Sequence, residues 1–352
     1  SEAFKDTPPA TPAFLQYTSG STGLPKGVEI SHGNILANLA SLVELTRANQ
    51  QDVFVNWLPL FHDLGLVNTI LLPVFLGCHS VLMAPTQFIR SPITWLKLID
   101  QYQGTICGAP NFAYDLCVQK VDIAACANLK LNQWRNAFNA AEPINRQTLD
   151  DFANKFAPVG FNPAAFFPSY GMAEATVFIC GQHFQPDCEY LFDYQALQNN
   201  QVVVSNDKAS SRAIVPCGLP SKQHDVVILN PDTADVVADN CVGEICFTGP
   251  SVMQGYWQNS QQSASAFTEY QQQTYLRTGD LGFIYQQQLF VIGRCKDVMI
   301  SRGQNIYPHD IEWAAIEADD ALERMACAAF ELDDNGEFVV AIEVKRTSVK
   351  QF

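Results

Sequence analysis

Apolar and polar positions along the 352-residue chain fall into three successive patterns. In the first, short apolar runs at 13–15, 52–58, 80–84, 105–108, 135–140 and 164–167 read as strands. Between them lie stretches with helical spacing: 35–45, 64–75, one opened by Ser91-Pro92, and others from Pro110 and Asn145. The stretch Ser31–Asn34 offers helix-capping residues, and Ser91-Pro92 places a capping serine before a first-turn proline. Strands alternating with helices predict an α/β unit, a mostly parallel sheet with helices on both faces. Near residue 181 the pattern changes to short strands at 202–204, 225–229, 243–248, 282–285 and 289–292, with turns between them. This predicts a small β-rich, barrel-like or antiparallel subdomain. Residues 258–288 are rich in glutamine and serine and are expected to form mobile loops. From 293, a helix over 308–318 and strands over 326–331 and 337–344 predict the start of an α+β subdomain.

Composition narrows the classes of function. Hydrophobic residues make up 47% and charged ones 16%, which suits a globular enzyme. A formal net charge of −15 argues against nucleic acid or an anionic membrane as partner, since both need a basic surface. The eleven cysteines form no C-x-x-C pair, and most lie in apolar runs, so reduced thiols and a cytoplasmic location are expected. No secretory leader pattern opens the sequence, and the longest apolar run, 69–77, is too short for stable membrane insertion.

The chemistry concentrates at residues 17–27, Tyr-Thr-Ser-Gly-Ser-Thr-Gly-Leu-Pro-Lys-Gly, between two predicted strands. Gly20, Gly23 and Gly27 let the backbone approach a ligand closely. Thr18, Ser19, Ser21 and Thr22 supply hydroxyls, and Lys26 a positive charge. Exposed N–H groups, hydroxyls and a lysine are what a polyphosphate needs. It is not a Walker loop, because Pro25 stands where that loop has glycine; the alternative is a plain surface turn. Further on, Tyr170-Gly171-Met172-Ala173-Glu174 follows a buried strand, at a strand end where α/β sheets bind ligands. Arg277-Thr278-Gly279-Asp280 is expected on a turn between strands, and Gly293-Arg294-Cys295-Lys296-Asp297 opens the last unit. His62 and Asp63 precede an apolar helix; His62 is either a hydrogen-bonded core residue or the lining of a carboxylate site.

Taken together, these motifs resemble the adenylate-forming superfamily: acyl- and aryl-CoA synthetases, adenylation domains and fatty acyl-AMP ligases. The resemblance runs over essentially the whole chain after residue 12. It implies ATP and Mg²⁺ as cofactors, with pyrophosphate leaving into the loop of Thr18, Ser19, Gly20, Ser21, Thr22, Gly23 and Lys26. It implies that Tyr170, with Gly171 and Met172, packs on adenine, and that Glu174 and Thr18 hold the metal. Ala140-Ala141-Glu142-Pro143 is similar to the segment lying along adenine in relatives, where glycine is usual at the first position, so Ala140 is expected to crowd the base. By the same resemblance Asp280 binds the ribose diol, Arg294 contacts ribose or phosphate, and Lys296 is a hinge. His62, Lys26 and Glu174 become the catalytic candidates, His62 lining the acyl-carboxylate site.

Within the superfamily, Phe61-His62-Asp63-Leu64-Gly65-Leu66, Tyr170–Thr176 and Asn305–Glu312 look most like fatty acyl-AMP ligases. The stretch 191–197 resembles the start of the inserted segment that tells these ligases from CoA-forming relatives. The resemblance implies a fatty acid substrate and, as acceptor, the phosphopantetheine thiol of an acyl carrier protein. It divides the chain into 1–35, the end of a first α/β subdomain with the phosphate loop, then 36–180, 181–292 and 293–352. It also leads to the expectation that an N-terminal portion precedes residue 1 and that the family's late catalytic lysine lies beyond Phe352. A CoA-forming ligase and a nucleotide-binding remnant without catalysis are the alternatives.

Overall fold

The computed structural model describes residues 7–18, 25–301, 303–319, 321–332, 337–346 and 348. Strands β1 (Pro12–Thr18) and β2 (Lys26–Ser31) form an antiparallel pair whose open ends are Thr18 and Lys26. Ser31 then caps α1 (His32–Thr46): the Asn34 amide donates to Ser31 Oγ at 3.1 Å, and the Ser31 amide donates to Asn34 Oδ1 at 3.0 Å. This reciprocal box satisfies two otherwise orphaned helix-start donors.

The central layer follows. Its elements are β3 (Val53–Asn56), α2 (Asp63–Leu66), a π-helical turn Val67–Leu71, α3 (Leu72–Leu76) and β4 (His79–Leu82). Next come α4 (Pro85–Arg90), α5 (Ile93–Tyr102), β5 (Ile106–Ala109), α6 (Asn111–Lys120), β6 (Asn136–Asn139), α7 (Arg146–Phe156), β7 (Phe166–Tyr170) and β8 (Cys180–Gly181). The sheet order is β4-β3-β5-β6-β7-β8, all parallel except β8. Every residue of β5, β6 and β7 is buried, so both faces of the sheet are covered. Two buried indoles donate their N–H groups to carbonyls of interior strands: Trp95 to Val55 O on β3 and Trp134 to Cys107 O on β5, each at 3.1 Å. Two expectations shift. Pro92, and not Ser91, occupies the cap position of α5, because Ser91 closes α4. The strand expected over 164–167 begins at Phe166, since Pro163–Ala165 is a 3-10 turn capped by Asn162.

Beyond it, β9 (Leu191–Asp193) leads into α8 (Tyr194–Gln198) and pairs with β10 (Ser211–Ala213). Then come β11 (Asp225–Leu229), β12 (Gly243–Thr248), β13 (Gly255–Tyr256), α9 (Ser260–Ser265), β14 (Phe267–Tyr270), β15 (Gln273–Tyr285) and β16 (Gln288–Arg294). An antiparallel sheet runs β11-β12-β15-β14 with β16 also on β15, while β13 extends β2. The expected strand over 202–204 is absent; only isolated bridges at Gln201 and Val204 form there. The glutamine-rich stretch forms a short helix, α9, and two hairpins in place of the expected loops. Gln271, Gln272, Gln286 and Gln287 all have positive φ, 48° to 64°, the backbone of tight two-residue hairpin turns.

The remainder is a hairpin of β17 (Met299–Ser301) and β18 (Gln304–Ile306), then α10 (Pro308–Glu317), β19 (Leu322–Glu331) and β20 (Phe338–Val344). The 191–197 segment joins this part to the antiparallel sheet. Phe192 is fully buried against Phe283 and Phe290, ring centroids 4.9 and 5.2 Å away. On its partner strand, Arg212 pairs with Asp310 (Nε–Oδ1 3.0 Å), touches His309 Nε2 and lies over the Tyr307 ring. Burial and Arg212 together hold the His309 imidazole well below its usual pKa, so it accepts from the guanidinium as a neutral ring.

Candidate active site

A cavity of about 770 Å³ lies at the carboxyl ends of β6 and β7, roofed by β15 and by the open end of the β1–β2 pair. It collects Thr18, Lys26, His62, Ala140, Ala141, the 170–174 segment, Asp280, Arg294 and Lys296. Glu142 and Pro143 are not on its wall. The Glu142 carboxylate instead accepts from the Phe112 amide at 2.5 Å, in the first turn of α6, where the helix start favours negative charge. Ser19, Gly20, Ser21, Thr22 and Gly23 lie outside the described residues.

Two clusters divide the wall. In the first, the Tyr170 hydroxyl donates to Asp280 Oδ2 at 2.6 Å, and Arg294 Nε stands 3.4 Å from Asp280 Oδ1. Burial pushes the Asp280 carboxyl up to about 6, held back by Tyr170 and Arg294. Burial also drives the Tyr170 phenol well above its ordinary range, helped by the Asp280 charge. The segment 277–280 is not a turn between strands, as its sequence suggests; it is a bulge inside β15, with Gly279 at φ +73°. Glu244 pins that bulge, accepting from Arg277 Nε at 2.8 Å and from the Gly279 amide at 3.0 Å. Asp280 is thereby aimed by a buried carboxylate that no local motif announces.

In the second cluster, the Tyr256 hydroxyl donates to Glu174 Oε1 at 2.8 Å, while Lys26 Nζ sits 4.9 Å over the Tyr256 ring. Tyr256 therefore links the lysine to the carboxylate, and sequence reasoning missed it. Its Gly-Tyr-Trp context reads as a turn, and its place comes from β13 joining β2. Gly171 is required in this motif, because a Cβ there would stand 1.7 Å from Val177 O. In the 140–143 segment the left-handed backbone falls on Ala141 (φ +73°), one residue after the position the resemblance singles out.

His62 forms the third wall. It is half-exposed, caps α2, and has Nδ1 2.6 Å from Asp63 Oδ1, a contact that raises its pKa against the opposing effect of burial. Leu64 and Asn68 continue this wall, whereas Val67 is fully buried in the core. Leu64 and Asn68, four residues apart, share a helix face from which Val67 is turned away; the π-turn that begins at Val67, with the Leu72 amide donating to Val67 O five residues back, shifts the register of the residues that follow. Chemically, the cavity offers two hard oxygen donors (Thr18 and Glu174), a cation, a carboxylate suited to a diol, and an apolar flank. Among the described residues no group of three or more His, Cys, Asp or Glu could hold a metal alone. No helix among them is long and apolar enough to cross a membrane.

The chain as a whole is similar to known proteins. The chain is 40% identical over 90% of its length to the medium-chain-fatty-acid–[acyl-carrier-protein] ligase TtuA of Teredinibacter turnerae, covering 51% of that protein. It is 37% identical over 97% of its length to the ligase JamA of Moorena producens, named for the same activity, covering 59%. The crystal structure of the fatty acyl-adenylate ligase from L. pneumophila, in complex with acyl adenylate and pyrophosphate, superimposes with a TM-score of 0.80 at 38% identity, over 97% of this chain and 61% of that one. The chain thus spans between half and three-fifths of the length of the relatives it matches. The model of the family described as AMP-binding enzyme matches residues 2–257, well over half of the sequence, and the chain belongs to that family.

Proposed function

We propose that the protein activates a fatty carboxylic acid with ATP, forming acyl-adenylate and pyrophosphate, and passes the acyl group to the phosphopantetheine thiol of an acyl carrier protein. The observation that carries this reading is the meeting of the Tyr170–Asp280–Arg294 and Lys26–Tyr256–Glu174 clusters on one cavity whose third wall is His62 and Leu64. Asp280 accepts the ribose hydroxyls, and the backbone at Ala140–Ala141 with Tyr170 borders the base. Lys26 faces the phosphates. His62, held by Asp63, borders the acid's carboxylate, and the alkyl chain runs along Leu64. A carboxylate oxygen attacks the α-phosphorus, the bond to the bridging oxygen breaks, and pyrophosphate departs toward Lys26. Thr18 and Glu174 would hold Mg²⁺ with phosphate and water oxygens, an ion that neutralises phosphate charge when bound. Lys296 would act as the hinge for the residues that follow it. The names of TtuA and JamA support an acid of medium chain length and a carrier-protein acceptor.

The test is pyrophosphate release by the whole protein across a fatty-acid series, followed by product analysis with holo-carrier protein and with CoA. Acyl-carrier protein as the main product is expected. Acyl-CoA as the main product would overturn the acceptor, and no acid-dependent pyrophosphate would overturn the reaction.

A further inference from the structure

The main cavity shares Leu64, Asn68 and Phe138 with a recess of about 10 Å³ closed behind by Phe54, Ile106 and Gly108. A space of roughly 10–15 Å³ on this measure holds one water-sized group. The recess therefore fits a single oxygen and not the end of an alkyl chain. Its lining is apolar except for two amides, Asn56 and Asn68. Asn56 is engaged, its Oδ1 accepting from the Gly108 amide at 3.0 Å. Asn68 is not: it is 5% exposed, and its Oδ1 is buried with no hydrogen-bond partner among the described residues. A buried amide end without a partner is costly to a fold and is rarely kept idle. Asn68 also lies within the π-turn Val67–Leu71, a backbone irregularity found disproportionately at functional sites.

We infer that Asn68 selects an acyl chain bearing a hydroxyl branch, whose oxygen enters the recess while the chain stays in the main cavity. The inference rests on the acyl-adenylate reading above. An amide's oxygen and nitrogen exchange places by a half-turn, and a hydroxyl both donates and accepts, so it pairs with Asn68 in either orientation. A carbonyl or an ammonium matches only one.

Calorimetry on the chain with non-hydrolysable acyl sulfamoyl adenosines tests this, using a plain medium-chain analogue and a positional series carrying one hydroxyl each. At least one hydroxylated analogue should bind about tenfold more tightly than the plain one, the worth of one good buried hydrogen bond. Asn68→Leu, close in volume, should bind the plain analogue more tightly and lose the preference. Should that variant fail to fold, Asn68→Ser, whose hydroxyl stops short of the recess, should reduce the preference. Equal affinities across the series, or a preference unmoved by both substitutions, would overturn the inference and leave the recess a water site. If AMP binds but every acyl analogue is refused, the acyl-adenylate reading itself fails, and the inference with it.

Discussion

Affinity for adenosine should rise with pH through about 6, and Asp280→Asn should flatten that rise. In the free protein burial lifts the Asp280 carboxyl from its ordinary 3.8 to about 6, despite the Tyr170 hydroxyl and the Arg294 guanidinium. A ribose diol donating two hydrogen bonds favours the carboxylate form and draws the group back down. Below both values Asp280 is protonated with and without ligand; between them binding must expel a proton; above 6 the carboxylate is already formed and affinity is at its plateau. If the bound value returns to the ordinary one, linkage gives a gain of about tenfold between pH 5 and 7. The same displacement bears on the unliganded fold. A carboxyl raised in this way stabilises the protein below its ordinary value and loses that contribution as pH rises through 6. At neutral pH the charged form costs ~3 kcal/mol, at about 1.4 kcal/mol per unit. Asp280→Asn should therefore bind adenosine weakly at every pH yet melt higher near neutrality. Adenosine is the right probe, since it has the diol but no phosphate to titrate or to meet Lys26 and His62. Calorimetry in buffers of differing ionisation enthalpy counts the released proton directly. Equal affinities at pH 5 and 7, or a slope kept by Asp280→Asn, would refute the reasoning.

Three further outcomes follow from the packing. Ala141→Gly should stabilise the chain by about 1 kcal/mol in urea titrations, because a Cβ opposes the left-handed backbone seen at φ +73°; a loss of stability would deny that conformation. Leu64, which borders the cavity but is also packed in the core, and Val67, which is core alone, should each lose about 1–3 kcal/mol as tryptophan, but only Leu64→Trp should refuse long acyl analogues before short ones; the same length profile for both would contradict their different facings. Arg212→Met should cost about 3 kcal/mol by stranding the buried Asp310 carboxyl, and adding Asp310→Leu should recover much of it. Unchanged stability in the single variant would remove the ion pair from the joint.

The parallel layer was legible because buried strands and amphipathic helices write their periods locally, and Ser31 with Asn34 marks a helix start in four residues. The β-rich part was harder. Gln271-Gln272 and Gln286-Gln287 make turns that asparagine and glycine usually signal, so a 13-residue strand, β15, read as loop with a short strand at its end. At the site, Tyr170, Glu174 and Asp280 could be picked out because each sits in a compact motif. Tyr256 and Glu244 could not. Their partners are distant in sequence, 82 residues from Tyr256 to Glu174 and 33 from Glu244 to Arg277, and nothing local encodes such a pairing. Glu142 stands off the cavity wall for the opposite reason: its motif is local, but a helix start engages the carboxylate.

The π-turn has a consequence for how this protein can evolve. An ordinary helix lining a cavity couples its two sides, so a change on the wall soon disturbs the residues anchoring it. Here the helix changes register midway: Asn68 borders the cavity, Leu64 borders both cavity and core, and Val67, Leu72 and Pro73 are set in the interior. Substitution at 68 can change the wall while the anchoring residues stand still, whereas one at 64 also touches the core. Loss of one residue within the turn would restore a plain helix and swing the anchors out of register with the core. Change in the cavity wall is thus open to point mutation and closed to deletion.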